Sequence, residues 1–191
     1  MVTTLYLAGD PEADEILARD PFALLVGMLL DQQVPMEKAF SGPSVIASRL
    51  GATSLDPAAI AAHDPEQFAE LVSRTPAVHR FPGSMAGRIQ KVAAFVAERY
   101  DNDAAAIWSD AGTGAELLKR LKALPGFGEQ KAKIMVALLG KQFGVQPEGW
   151  REAAGAYGEE GSTRSVADVV DAESLARVRA TKRELKRAAK A

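Results

Sequence analysis

The chain has 191 residues, 47% apolar and 25% charged, enough to bury one substantial core or two small helical lobes. It has no cysteine and only two histidines, His63 and His79, which excludes disulfides, a thiolate zinc site, an iron–sulfur cluster and a histidine-built metal centre. The net charge of −2 hides an uneven split: residues 1–70 carry three Lys or Arg against eleven Asp or Glu, and residues 71–191 carry twenty against fourteen, so a polyanion is expected to meet the C-terminal two-thirds.

Met1–Asp10 places no basic residue ahead of its short apolar run, so no secretory leader is expected, and no run of eighteen apolar residues offers a membrane span. The cytoplasm is the expected compartment. Alanine, leucine, glutamate and arginine dominate and β-branched alternation is scarce, so helices are expected nearly throughout. Asp10-Pro11 opens a first helix to about Ala18, with Asp10 as N-cap and Pro11 at the first helical position. Asp20-Pro21 repeats the signal before Phe22–Leu30, a stretch too apolar for a surface helix. Pro35 precedes a third segment, Met36 to Leu50, ended by Gly51. Asp56-Pro57 and Asp64-Pro65 start short helices near 57–62 and 65–73. Thr75 to Ser84, with Pro76, Pro82 and Gly83, reads as a loop. Residues 84–100 form an amphipathic helix with Ile89, Val92, Ala93 and Val96 on one face. A connection from Asp101 to Gly114 holds a short turn at Ile107 and Trp108. Helices at Glu116–Ala123 and Glu129–Leu139 flank Leu124–Gly128. Gly140–Gly161 is rich in turns around a short helix at Trp150–Ala154. Val166 onward, especially Ala172–Ala189, reads as a final basic helix, with an apolar stripe of Leu175, Val178 and Leu185; over 171–191, Arg177, Arg179, Lys182, Arg183, Lys186, Arg187 and Lys190 outnumber the acids.

The most specific signal is Leu124-Pro125-Gly126-Phe127-Gly128, followed by Glu129-Gln130-Lys131-Ala132. Gly126 and Gly128 permit positive φ and leave no side chain between the backbone and a ligand. The turn's N–H groups and the first N–H groups of the next helix then make an anion site, suited to a DNA phosphate by the helix dipole. Such contacts fix register and carry no sequence information. An ordinary αα-hairpin serving protein contacts is the plain alternative.

This segment resembles the hairpin of the helix-hairpin-helix (HhH-GPD) superfamily of base-excision DNA glycosylases, and other segments follow in that family's order. Met28-Leu29-Leu30-Asp31-Gln32-Gln33-Val34 is similar to the place where members end a buried helix with a glutamine pair. Gln33 is the candidate wedge that fills the space left by an extruded base, with Gln32 beside it. Arg88–Val92 is similar to the family's basic helix before the hairpin. Pro147–Trp150, Ser165–Val169 and Ser174–Arg179 resemble an actinobacterial subgroup of the superfamily. The resemblance implies an all-α, two-lobed fold around a central DNA-binding cleft. Residues 21–140 would form a helical barrel domain containing the hairpin, and 1–20 with 141–191 a second, discontinuous lobe.

The same resemblance implies site residues. DNA would be held at Leu124, Pro125, Gly126, Phe127 and Gly128, with Gln130 and Lys131 in the following turn. Bifunctional members carry a Schiff-base lysine two residues after the last hairpin glycine. Gln130 stands there and cannot form one, while Lys131 lies about 100° further around the helix, so AP-lyase chemistry is not expected. Members keep a catalytic aspartate in the loop after the second hairpin helix. Gly140–Trp150 contains none, but Glu148 falls near its place, with Asp31 in reserve. The extra methylene shifts a carboxylate by about 1 Å, which can cost about a hundredfold in rate. Trp150 is the candidate for the base pocket, with Trp108 and Tyr157 as further aromatics, and His79 and Arg80 are placed to reach DNA from their loop.

The function so implied is a monofunctional DNA N-glycosylase acting on a flipped, damaged base in double-stranded DNA, as a nucleoid-associated monomer without membrane contact. The alternative is a non-catalytic DNA-binding or lesion-sensing protein that kept the hairpin. No cofactor is called for; Na⁺ or K⁺ at the hairpin stays open, because such sites use backbone carbonyls.

Overall fold

A computed structural model describes residues 4–191; residues 1–3 of the expected 1–20 segment lie outside the described residues. The chain is all-helical, with no strand among the described residues. The helices are α1 (Pro11–Arg19), α2 (Pro21–Leu30), α3 (Met36–Arg49), α4 (Pro57–Ala62), α5 (Pro65–Ser73), α6 (Pro82–Arg99), α7 (Ala106–Ser109), α8 (Gly114–Lys122), α9 (Glu129–Gln142), α10 (Trp150–Ala154) and α11 (Ala172–Lys190). Short 3₁₀ turns at Gly155–Gly158 and Val166–Asp168 separate α10 from α11. None of these helices is long and apolar enough to cross a membrane.

The described residues form two compact units, 4–110 with 123–127, and 111–122 with 128–191. The first is built on repeated Asp-Pro starts. Asp10, Asp20, Asp56 and Asp64 each accept from N–H groups of the turn they open, while the following proline occupies the first helical position, where its missing N–H is no loss. Asp20 also accepts from Leu55 N–H at 2.7 Å, so one buried carboxylate both caps α2 and fastens the segment before α4. All of Phe22–Leu30 is buried, as its apolarity requires, and α2 packs chiefly on α3 while α4 and α5 pack on α6. Asp14 on α1 is buried and accepts from Leu7 and Ala8 N–H at 2.9 and 2.8 Å. Burial nevertheless pushes its carboxyl above the usual range.

In the second unit α9 is the central helix, with Met135–Gly140 fully buried. Helices α8 and α10 and both 3₁₀ turns pack on it. Lys141 near its end donates to Asp168 Oδ1 at 2.6 Å and to the Tyr157 carbonyl at 2.7 Å, fastening both turns to the helix. Several bounds differ from the sequence expectation: α11 begins only at Ala172, after the separate turn at Val166–Asp168 and the Asp171 cap, and three others shift by two or three residues. Helix α6 starts at Pro82, because a proline with fixed φ opens a helix where a loop was expected to run to Ser84. Helix α8 starts at Gly114, whose N–H is satisfied from outside the helix by the Glu148 carbonyl. Helix α9 runs to Gln142, whose side chain donates to the carbonyls of Ala167 and Val169.

Candidate functional site

The Gln32–Gln33 turn belongs to the first unit. Where α2 ends, the Gln32 side chain turns back and donates to the Leu29 carbonyl at 2.9 Å, one of the carbonyls of the helix's last turn. Its amide oxygen accepts from Arg88 at 3.3 Å. The Gln32 carbonyl accepts from His79 Nε2 at 2.9 Å, while Phe81 N–H donates to His79 Nδ1 at 3.0 Å. Because the Phe81 N–H can only donate, the arrangement fits the tautomer in which Nδ1 accepts and Nε2 donates. The next residue, Gln33, has φ of 58° and is exposed. A glutamine in the left-handed region costs about 1–2 kcal/mol, a cost the hydrogen bonds around Gln32 sustain. The pair thus divides its work: Gln32 holds the turn, and Gln33 is presented to solvent. Asp31, half-buried, ends α2 with its N–H donating to the Met28 carbonyl.

His79 does not reach outward from its loop, contrary to the sequence expectation. It is 1% exposed, drawn in by the two hydrogen bonds it makes. Arg80 is exposed and lies over the Phe81 ring at 5.3 Å.

Leu124–Phe127 form a tight turn, also in the first unit. Phe127 N–H donates to the Leu124 carbonyl at 3.1 Å, with Pro125 at the second position and Gly126, φ 81°, at the third; this is the Pro-Gly pattern of a type II turn. Leu124 and Phe127 are buried, anchoring it from both ends. Its positive φ is what requires glycine here; a Cβ on Gly126 would stand 2.9 Å from Leu29 Cδ1, the end of a side chain that would have to shift. Gly128 differs from expectation: its φ is −74°, a value open to any residue, and a Cβ there would meet nothing within 4 Å. Its use is the open space beside the backbone, not positive φ.

Gly128 is the N-cap of α9 in the second unit, and no side chain caps that helix. Its first-turn N–H groups therefore face outward with the positive end of the dipole. The acid in that turn, Glu129, is met by Lys133 at 3.6 Å and Lys122 at 4.0 Å. Gln130 is exposed and donates to the Tyr157 hydroxyl at 3.0 Å, and Lys131 is half-buried.

The Gln146–Trp150 loop follows α9 in the same unit and is fastened through its backbone. The Glu148 carbonyl accepts from Gly114 N–H at 2.7 Å, and Glu148 pairs with Thr113 in an isolated parallel bridge. Trp150 N–H donates to the Pro147 carbonyl at 3.0 Å across a turn whose third residue, Gly149, has φ of 77°. Gln146 donates to the Gly140 carbonyl at 2.9 Å. Two glycines permit the fit: a Cβ on Gly114 would lie 2.5 Å from Trp150 Cα, and one on Gly140 would lie 2.3 Å from the Trp150 ring. Trp150 is 8% exposed, one face of its ring under the Arg151 guanidinium at 4.4 Å. It works here as the loop's anchor. Glu148 projects from this fixed backbone into solvent.

Among the described residues no group of three or more His, Asp or Glu is placed to hold a metal ion. What sequence reasoning missed are the supports: His79 behind the Gln32–Gln33 turn, Tyr157 against Gln130, and Lys141 with Asp168. The lone buried imidazole had no motif around it, and the other pairs are far apart in sequence.

No curated protein and no solved structure matches the chain. The family described as HhH-GPD superfamily base excision DNA repair protein does match, over residues 26–191. That span takes in the glutamine turn, the hairpin, the Glu148 loop and α11, and the chain belongs to the HhH-GPD superfamily of base excision DNA repair proteins.

Proposed function

We propose that the protein is a monofunctional DNA N-glycosylase that hydrolyses the bond between deoxyribose and a damaged base flipped out of the duplex. The observation that carries this reading is Glu148: an exposed carboxylate on a loop whose backbone is fixed by Gly114 N–H, Gly149 and the buried Trp150. A charge held in place before reaction stabilises developing positive charge without reorganisation. In the proposed step the glycosidic electron pair leaves with the base, and Glu148 faces the cationic sugar. Water then adds to the anomeric carbon and its released proton balances the departing base. Gln33 occupies the vacated stack, and the first turn of α9 with open Gly128 holds a backbone phosphate. With Gln130 at the lyase position, no covalent enzyme–sugar intermediate is expected.

The test is single-turnover base release from duplexes containing uracil, alkylated purines, oxidised guanine or mismatches, comparing wild type with Glu148→Gln. Release by wild type and its loss in Glu148→Gln, with duplex affinity kept, supports the reading. Equal release by both proteins rejects Glu148. The length of the glutamate favours a second reading, a lesion-binding protein without chemistry. Salt-sensitive binding with no release on any duplex would establish that reading instead.

A further inference from the structure

Helix α11 is buried only at its base. Ser174, Leu175 and Val178 are covered, but every residue from Lys182 to Ala191 is exposed. Leu185, expected to continue the apolar stripe, is 45% exposed. The last turns of the helix therefore contribute nothing to the core, and a different pattern governs them. Lys182, Arg183, Lys186, Arg187 and Lys190 follow the spacing i, i+1, i+4, i+5, i+8, which at 100° per residue gathers all five within an arc of about 140°. Glu184, the one acid in that stretch, falls about 60° beyond the edge of the arc. Among the described residues none of the five makes an ion pair. Elsewhere on the same helix Arg177 is paired with Glu173 at 2.7 Å. Basic residues late in a helix complement its dipole, but that reason neither segregates them onto one face nor strips the face of acids.

We propose that this stripe is a second phosphate-binding surface, gripping the backbone of the same duplex that the hairpin holds. The inference rests on the DNA-binding reading above. Charge complementarity selects the occupant: five unpaired cations along about 12 Å of helix match a polyanion with one charge per about 1.7 Å of duplex axis. Recognition is of backbone, so the surface adds affinity and salt dependence without sequence preference. Arginine and lysine alternate freely along the stripe, as point-charge contacts allow.

The experiment measures duplex affinity against salt concentration for three proteins: wild type, the fivefold Lys/Arg→Gln variant of the stripe, and Gly128→Val. Glutamine matches lysine and arginine in helix propensity, and the stripe covers no core, so fold and helicity should persist. A chain ending at Thr181 serves as a second form of the same loss. Each phosphate contact contributes about 0.9 to the slope of log K against log salt, so losing two to four contacts lowers the slope by about 2–4. Charges that merely raise the distant field are largely screened beyond about 10 Å at 0.1 M salt and leave the slope nearly intact. A reduced slope in both stripe variants, restored when the two arginines alone are replaced by lysine, supports the proposal. An unchanged slope in the stripe variants beside salt-sensitive wild type and weakened Gly128→Val overturns it and leaves the hairpin reading standing. Wild type that binds no duplex at any salt overturns both.

Discussion

The Gln32–Gln33 turn and the Gln146–Trp150 loop hold the exposed side chains of Gln33 and Glu148 on a fastened backbone, but by different means. At Gln33 the residue itself is strained, φ 58°, and neighbouring side chains keep it there: Gln32 on the Leu29 carbonyl, His79 on the Gln32 carbonyl, Arg88 on the Gln32 amide. At Glu148 the hold is backbone to backbone through Gly114, and it exists only because two glycines let a tryptophan and its neighbours approach closely. In the function proposed above Gln33 would enter a base stack, and polar side-chain contacts yield more readily than close packing. The catalytic role proposed for Glu148 would gain from the stiffer arrangement.

The comparison breaks most visibly at Gly114. By helix propensity alone, Gly114→Ala should stabilise α8 by up to about 1 kcal/mol. The new Cβ would stand 2.5 Å from Trp150 Cα and 2.6 Å from Gly149 C and O, backbone atoms that no rotamer change can move aside. Overpacking of this kind costs about 1–3 kcal/mol, which lowers Tm by about 2–4 °C for each kcal/mol in a chain of this size. Displacing Glu148 by about 1 Å should slow base release by about a hundredfold. Calorimetry and single-turnover kinetics on this variant decide the matter, and a raised Tm with unchanged release would show that the loop is not held through Gly114.

His79→Phe comes next. It keeps a ring in the buried site but leaves the Gln32 carbonyl and Phe81 N–H without their partner, a cost of about 1–3 kcal/mol. Hydrogen exchange should quicken in Gln32 and Gln33 and leave the Glu148 loop untouched. His79→Gln, which offers both a donor and an acceptor, should recover part of the loss. Equal protection of the Gln33 turn in wild type and His79→Phe would remove the imidazole from its role as support.

These two variants also mark where the sequence could be read and where it could not. The Asp-Pro starts announced α1, α2, α4 and α5 because capping and proline geometry are local, decided within four residues. The hairpin was legible for the same reason: Pro125-Gly126 writes a type II turn into adjacent letters. Gly128 has an ordinary negative φ, and the sequence does not tell this apart from Gly126, because openness beside the backbone and freedom of φ leave the same letter. The inward turn of His79 is not legible in its loop, since its partners, Gln32 and Phe81, include one 47 positions away. Trp150 was placed by order along the chain, but its anchoring depends on Gly140 and Gly114, glycines whose purpose appears only when the helices are packed.

The smallest effect, and the sharpest discriminator, is expected at Gln33. Replacing it with glycine removes a left-handed strain of about 1–2 kcal/mol and adds the chain entropy that glycine loses on folding, about 0.5–1 kcal/mol. The two nearly cancel, so Gln33→Gly should leave Tm unchanged or raise it slightly. Gln33→Ala keeps the strain and should fall at or below wild type. Both lack the amide, so if Gln33 fills the vacated stack, both should bind an abasic or mispaired duplex more weakly than wild type by the same factor. Agreement in affinity between two variants that differ in stability assigns the loss to the amide and not to the turn. A glycine variant less stable than wild type by more than about 1 kcal/mol would reverse the argument: the Gln33 side chain would then be holding the turn, and the contrast with Glu148 would rest on Gln32 and His79 alone.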